Sequence, residues 1–375
     1  MGNTEVLSTF GSNGVHINPA LLTDIKSLHV QVSGRMGSGS ESIANESAIC
    51  HYESDYPKTS RTSGFSFSNS WTHKNFYKVA YGFGQQIMHD MSFSRETTRL
   101  WSNDQESYSI VEDYKADGGI VTFCPSLAFG FGEYLSIGVS AHAAVSKSFN
   151  EDVKRTSTYN RFADGYNISY YSVNSYDGSI SASCFTMAAK FKISRVNIGV
   201  VLRSRLDYRF KDIIYTTVYT GNYSEGAIED YSYIVPALSA YAISYQLNDK
   251  IVLVGEYQTR NYSDLHKFKS GFNPSDFNDG DVRRLGLEYK AKPWLWIRGG
   301  AFREAMFLFN NGTGDPINMR GVTAGLGLAV YMFQLDLGAE YLQYNYKMEL
   351  PEDYNGKIEG SRLEVGMSLS FMMDI

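Results

Sequence analysis

Between Gly360 and Met373 the residues alternate strictly between two chemical classes. Leu363, Val365, Met367, Leu369 and Phe371 fall on one parity, and Arg362, Glu364, Gly366, Ser368 and Ser370 on the other. Successive side chains of a strand point to opposite faces, so the stretch predicts a strand of roughly 10 residues with one apolar face and one small or polar face. A long strand at the end of a chain leaves a free edge that invites aggregation. The fold has to supply a partner, and closure of the sheet into a barrel is the simplest way to do so.

The same alternation recurs along the chain. It predicts strands over Leu28–Met36, Ser63–His73, Phe76–Gln85, Gly119–Phe131, Tyr134–Phe149, Gly178–Ile193 and Val196–Phe210. The second half predicts Tyr231–Leu247, Ile251–Tyr262, Val282–Lys290, Trp294–Met306, Arg320–Tyr331, Gln334–Tyr346 and the terminal strand. Connections are very short at Lys74-Asn75, Gly132-Glu133, Ser194-Arg195, Asn248 to Lys250, Lys292-Pro293 and Met332-Phe333, and each is followed by a long polar segment before the next. Strict alternation of short and long connections is the sidedness of an outer-membrane barrel. The count is about fourteen, an even number that puts both chain ends on the short-turn side.

The faces agree from strand to strand. Leu135, Ile137, Val139 and Ala141 oppose Ser136, Gly138, Ser140 and His142, while Tyr77, Tyr134, Tyr289, Trp294, Trp296, Tyr331, Tyr344 and Tyr346 collect at strand ends as interfacial aromatics do. A soluble sandwich or solenoid would carry charge on its second face rather than Gly, Ser and Ala. Composition points the same way: 28 Tyr, 22 Phe and 34 Gly against 8 Pro, with 20% charged residues, suits many strands with aromatic rims. The mean hydropathy of −0.28 fits either a soluble protein or a barrel whose polar lumen masks its lipid face. The net charge of −6 gives no reason to expect nucleic acid. No apolar run reaches the roughly 18 residues of a membrane helix. The first residues, MGNTEVLSTF, lack the basic and apolar regions of a signal peptide, and Cys50, Cys124 and Cys184 are too few and too widely spaced for a disulfide framework or a metal site.

Two further stretches carry a resemblance. Asn18-Pro19-Ala20-Leu21-Leu22-Thr23 matches the NPA segment near the N-terminus of the FadL/TodX family of outer-membrane transporters for hydrophobic compounds. Arg283 to Phe302, followed by Gly321 to Gly327, resembles the Leu-Gly strand, short turn and Gly-rich strand of that family. The resemblance implies an antiparallel transmembrane barrel of fourteen strands with an N-terminal hatch, ligand held between hatch and wall, and lateral exit through a kinked third strand. On this sequence the hatch is expected over residues 1–27, incomplete because 17 residues precede Asn18, and the barrel over 28–375. Candidate ligand-binding or gating residues are Asn18, Pro19 and Ala20 in the motif, and Gly82 and Gly84 in the third strand. Gly82 and Gly84 read equally as a bend or as small lumen residues.

Strand parity places Arg203, Arg205, Glu256, Arg284, Glu288, Arg298, Asp336, Glu340, Arg362 and Glu364 inside, five of each sign. Buried ions need partners, so this set predicts an ion-pair network. Arg284 and Arg298 are also the candidates for holding a ligand carboxylate. No catalytic residue and no metal site is expected: His142 and Ser140 lack an acid, and Asp276 to Asp281 departs from the EF-hand pattern. The sequence thus predicts a monomeric outer-membrane channel, without cofactor, for passive uptake of a fatty acid or hydrocarbon. The alternative is a barrel of the same fold serving as a secretion-system component of the PorV type, with protein partners.

Overall fold

The computed structural model describes residues 6–7, 11–26, 28–43, 50–73, 76–90, 93–102, 104–144, 149–163, 165–219, 222–228, 230–261, 279–306, 317–350 and 354–373. Strand β1 (Leu28–Ile43) leaves the short-turn end and β2 (Cys50–His73) returns to it. β3 (Tyr77–Asp90) continues as β4 (Phe93–Ser102), and β5 (Glu106–Phe131) comes back along both. β6 (Leu135–Ala144) and β7 (Phe149–Arg161) form the next outgoing strand, β8 (Tyr166–Ser181) and β9 (Ser183–Ile193) the next returning one. β10 (Val196–Arg203) and β11 (Leu206–Tyr219) go out, and β12 (Asn222–Ile228), β13 (Tyr231–Val235) and β14 (Leu238–Asn248) return in three pieces. The rest are unbroken: β15 (Ile251–Arg260), β16 (Gly280–Lys292), β17 (Leu295–Met306), β18 (Ile317–Val330), β19 (Phe333–Leu350) and β20 (Tyr354–Met373). These segments make a closed, antiparallel barrel of 14 strands.

Closure is the pairing that the terminal strand requires. β20 pairs with β1 from Leu28↔Met373 to Ile43↔Ile358 without a break, and with β19 on its other edge. The expected partner, Leu28 to Met36, is therefore the observed one. Facing follows parity: Leu369 is 50% exposed and its neighbour Ser370 3%. The apolar residues point outward, away from the lumen, and the small and polar ones inward. In water this would expose a continuous apolar band, far beyond the few hundred Å² a soluble monomer shows. In a bilayer it is the wall that meets lipid. No helix among the described residues is long and apolar enough to cross a membrane; the crossing elements are strands.

Three expectations need correction. The segments expected as long polar loops are largely strand: β2 begins at Cys50 rather than Ser63, and β4, β7, β8, β11 and β12 extend the barrel wall beyond the apolar band. There polar and apolar residues mix on both faces of the sheet, so the regular alternation that marks a half-buried strand disappears although the ladder continues. Arg205 does not face the lumen. Ser204 and Arg205 interrupt the strand between β10 and β11, parity flips across the break, and the Arg205 side chain is 66% exposed beside Asp207. The turn between β18 and β19 is Tyr331-Met332, one residue earlier than expected, with Tyr331 in the left-handed region at φ 54°, and that between β16 and β17 is Pro293-Trp294, one residue later than expected. The expected turn at Lys74-Asn75 lies outside the described residues.

Candidate functional site

The inner wall carries a path of small residues, and the N-terminal segment lies along it. Two short 3-10 helices, Gly11–Val15 and Pro19–Asp24, run against the inward faces of β1, β2, β3, β5, β6 and β9. The second opens on Asn18 as its cap, with Pro19 at the first position, where a missing N–H costs nothing. Pro19, Ala20, Leu21, Leu22 and Thr23 are all buried. Val15 and Leu22 pack with Ala80 and Ala128, and Val6 and Ala20 pack with Ala188, Val201, Ala240 and Ala242. Burial of a Val or Leu side chain stabilises by about 1.5–3 kcal/mol, so these anchors hold the segment without any covalent cross-link.

Glycine is required where the backbones come closest. A Cβ on Gly138 would stand 2.5 Å from the Pro19 carbonyl carbon and 2.6 Å from the Ala20 nitrogen. Gly84 and Gly82 serve the same purpose for other residues: a Cβ on Gly84 would fall on the His16 ring, and one on Gly82 on Val15. The ladder between β2 and β3 runs evenly through both glycines, and the irregularity of β3 against β5 comes later, between Ile87 and His89. The two glycines are thus small lumen residues, not the position of a bend.

Polar contacts fix the register of the segment. The Val15 carbonyl accepts from Ser140 Oγ at 2.7 Å and Ser126 Oγ at 3.2 Å, and the His16 carbonyl accepts from Arg203 at 2.8 Å. The Ser12 N–H donates to His29 Nδ1 at 3.0 Å, Thr23 Oγ1 meets Ser136 Oγ at 2.7 Å, and Asp24 pairs with Lys190. Burial, helped by the nearby Arg203 guanidinium and opposed by the Phe65 backbone, lowers the His16 pKa to about 4, so the ring is neutral at pH 7.

Asn18 and Arg284, which the sequence offers as unrelated candidates, belong to one network. Asn18 Oδ1 accepts from the Ala20 N–H at 3.1 Å while Nδ2 donates to the Val6 carbonyl at 2.6 Å. The Val6 N–H in turn donates to Glu256 Oε2 at 2.8 Å, and Glu256 Oε1 accepts from Arg284 at 2.7 Å and Gln258 at 2.6 Å. Arg284 is thus committed to Glu256, whose side chain is fully buried. Arg298 bridges Glu288, at 2.7 Å, and Asp336. The expected ion-pair network is present at both arginines. Glu256, Gly138, Ser126 and Ser140 are the partners that sequence reasoning missed as site residues. Their shared signal is inward parity on their strands, which reveals a small or polar lining but not what lies against it.

The remaining candidates fall elsewhere. His142 and Ser140 are hydrogen-bonded to different partners: His142 Nδ1 is 2.9 Å from Cys124 Sγ and its Nε2 2.9 Å from Thr186 Oγ1, while Ser140 Oγ meets Ser126 Oγ and the Val15 carbonyl. Cys124 and Cys184 are buried free thiols, and of the acidic stretch from Asp276, residues 276–278 lie outside the described residues while Asp281 accepts from Arg283 at 2.7 Å.

No protein-family model matches the sequence, and no curated protein matches it. Solved structures match over the whole chain. The fold is similar to that of a Pseudomonas aeruginosa FadL homologue, with TM-score 0.65 and 11% identity over 99% of this chain and 96% of that one. It is also similar to the CymD monoaromatic hydrocarbon channel, with TM-score 0.61 and 13% identity over 100% and 96% of the two chains. The Pseudomonas putida toluene transporter TodX matches with TM-score 0.60 and 11% identity over 98% and 95%. The chain is a transmembrane β-barrel with the fold of the FadL-type transporters.

Proposed function

We propose that this protein is an outer-membrane channel for the passive uptake of hydrophobic small molecules such as long-chain fatty acids or aromatic hydrocarbons, with residues up to 27 acting as the hatch. One observation carries the reading: a segment of the chain's own N-terminus is lodged on a path of glycine and serine on the inner wall, tied down by the Asn18–Val6–Glu256–Arg284 network. A barrel of fourteen strands is too wide for its own side chains to fill. Here the wall is hollowed to receive a separate element, held by noncovalent contacts of a kind that can be released. The similarity in fold to a monoaromatic hydrocarbon channel and a toluene transporter supports the choice of ligand class. The apolar cargo gains about 0.8 kcal/mol per CH₂ on leaving water, which draws it inward without an energy source. A single chain closes the barrel, so a monomer suffices for the task.

The test is uptake of labelled oleate and toluene into proteoliposomes. Faster uptake with the protein than in empty liposomes is expected; uptake of each ligand at the same rate with and without the protein would overturn the proposal.

A further inference from the structure

Three arginines stand in one cross-strand row on the outer face of the barrel. Arg283 on β16 pairs with Arg303 on β17, and Arg303 pairs with Arg320 on β18. All three are exposed and share parity with outward apolar residues: Leu285 on β16, Ala301 on β17 and Val322 on β18. Like charges placed directly opposite each other destabilise a sheet, and an arginine on the lipid face costs more the deeper it lies. Ten residues separate Arg320 from Val330 at the short-turn end of β18. A strand tilted by roughly 40° rises about 25 Å over that length, which puts the row at the far edge of the apolar band. Asp281 accepts from Arg283, and Asn318 accepts from Arg303, so one acidic partner answers three cations at these contacts.

Directly beneath the row the wall is hollowed on its outer side. A cleft of about 800 Å³ is lined by Tyr241, Ile243, Leu285 and Ala301, with Arg283 and Arg303 at its upper rim. Gly255 forms part of its floor, where even a Cβ would meet nothing closer than Leu285 at 3.7 Å. An apolar slot leading down from a row of cations has the shape and charge of one kind of occupant: an acyl chain below and an anionic head above.

We propose that the Arg283–Arg303–Arg320 row and the cleft beneath it bind a phospholipid of net negative charge from the outer leaflet, with the phosphate on the guanidinium groups and an acyl chain in the slot. The assignment rests on the membrane reading of the barrel but not on transport. Arginine suits the role because its planar fork matches phosphate oxygens and is weakly hydrated. The lipid would relieve the repulsion within the row and fill a groove that the protein leaves open.

The experiment is native mass spectrometry of the detergent-purified protein with phosphatidylglycerol or phosphatidylcholine of identical acyl chains. Each exposed cation at a charged lipid surface favours the anionic lipid about fivefold, so a net two charges after Asp281 predict a preference of about 25-fold. Arg283→Gln/Arg303→Gln/Arg320→Gln should bring the ratio near unity, Lys250→Gln at the short-turn end should leave it unchanged, and Ala301→Phe should shorten retention of both lipids. Excess inorganic phosphate should not displace the bound lipid. Equal retention of the two lipids by the wild type would overturn the proposal whatever the variants do, as would an undiminished preference in the folded triple variant or displacement by phosphate. A protein that binds lipid this way yet fails the oleate and toluene assay would lose the transport reading and keep this one.

Discussion

Replacing Asn18 by Ala should release the N-terminal segment while leaving the barrel intact. The side chain has two tasks in the structure. Its Oδ1 caps the helix by accepting from the Ala20 N–H, and its Nδ2 satisfies the buried Val6 carbonyl. Loss of a cap costs about 1 kcal/mol, and a buried carbonyl left without a donor costs about 1–3 kcal/mol. Together the docked state should lose about 2–4 kcal/mol, which multiplies the population of the undocked state by roughly 30 to 1,000. Amide hydrogen exchange reads this directly, with residues 11–26 as the reporter and the ladder of β16 to β19 as the internal reference. The segment should exchange faster by that factor and the reference should not change, because none of its bonds involves Asn18. Asn18→Asp separates the two tasks: it keeps the capping acceptor but sets a carboxylate oxygen against the Val6 carbonyl, so it should release the segment at least as strongly as Ala. Unchanged protection of residues 11–26 in both variants would refute the reasoning, and so would equal acceleration of segment and barrel.

Three other outcomes follow from the same contacts. Gly138→Val drives a side chain into the backbone of Pro19 and Ala20, and Gly84→Val drives one into His16, so both should raise single-channel conductance in planar bilayers, Gly138→Val the more because backbone cannot step aside as a ring can. The buried neutral His16 makes docking sensitive to acid. Its docked pKa of about 4 lies below the ordinary 6.5, so the docked state's advantage is complete above about pH 6.5 and shrinks as pH falls toward 4. At pH 5 the loss is about 2 kcal/mol, visible as faster exchange of residues 11–26 that His16→Gln should diminish by that amount. Arg298→Gln leaves Glu288 and Asp336 facing each other without their cation, and removal of one partner from a buried pair costs about 3–5 kcal/mol. Thermal unfolding in detergent should fall accordingly and recover in Arg298→Gln/Glu288→Gln/Asp336→Asn.

The barrel was legible in the sequence because its determinants are local. Alternation from Leu363 to Phe371 needs only the two-residue period of a strand, and an apolar outer band forces that pattern wherever the wall meets lipid. Short turns such as Gly132-Glu133 and Ser194-Arg195 punctuate it, so strand number, sidedness and the pairing of the terminal strand with Leu28 to Met36 all followed. Beyond the band the constraint lapses, which is why β7 and β12 do not stand out as strands in the sequence and Ile87 to Trp101, which spans most of β4, reads only as partly structured. A two-residue interruption at Ser204-Arg205 sufficed to turn Arg205 outward.

The site was decided by tertiary structure. The sequence alone names Asn18, Gly84 and Arg284, but nothing local says that Asn18 reaches Glu256 through Val6, or that Gly138, rather than Gly84, makes room for Pro19. Those contacts join residues far apart in the chain, and their geometry depends on how far each strand has slipped past its neighbours by the time the barrel closes. The arginine row shows the same dependence. Arg283, Arg303 and Arg320 are spaced without any period along the chain and become neighbours only through the register of three strands. Periodicity determines which face a residue occupies; register determines what it meets there.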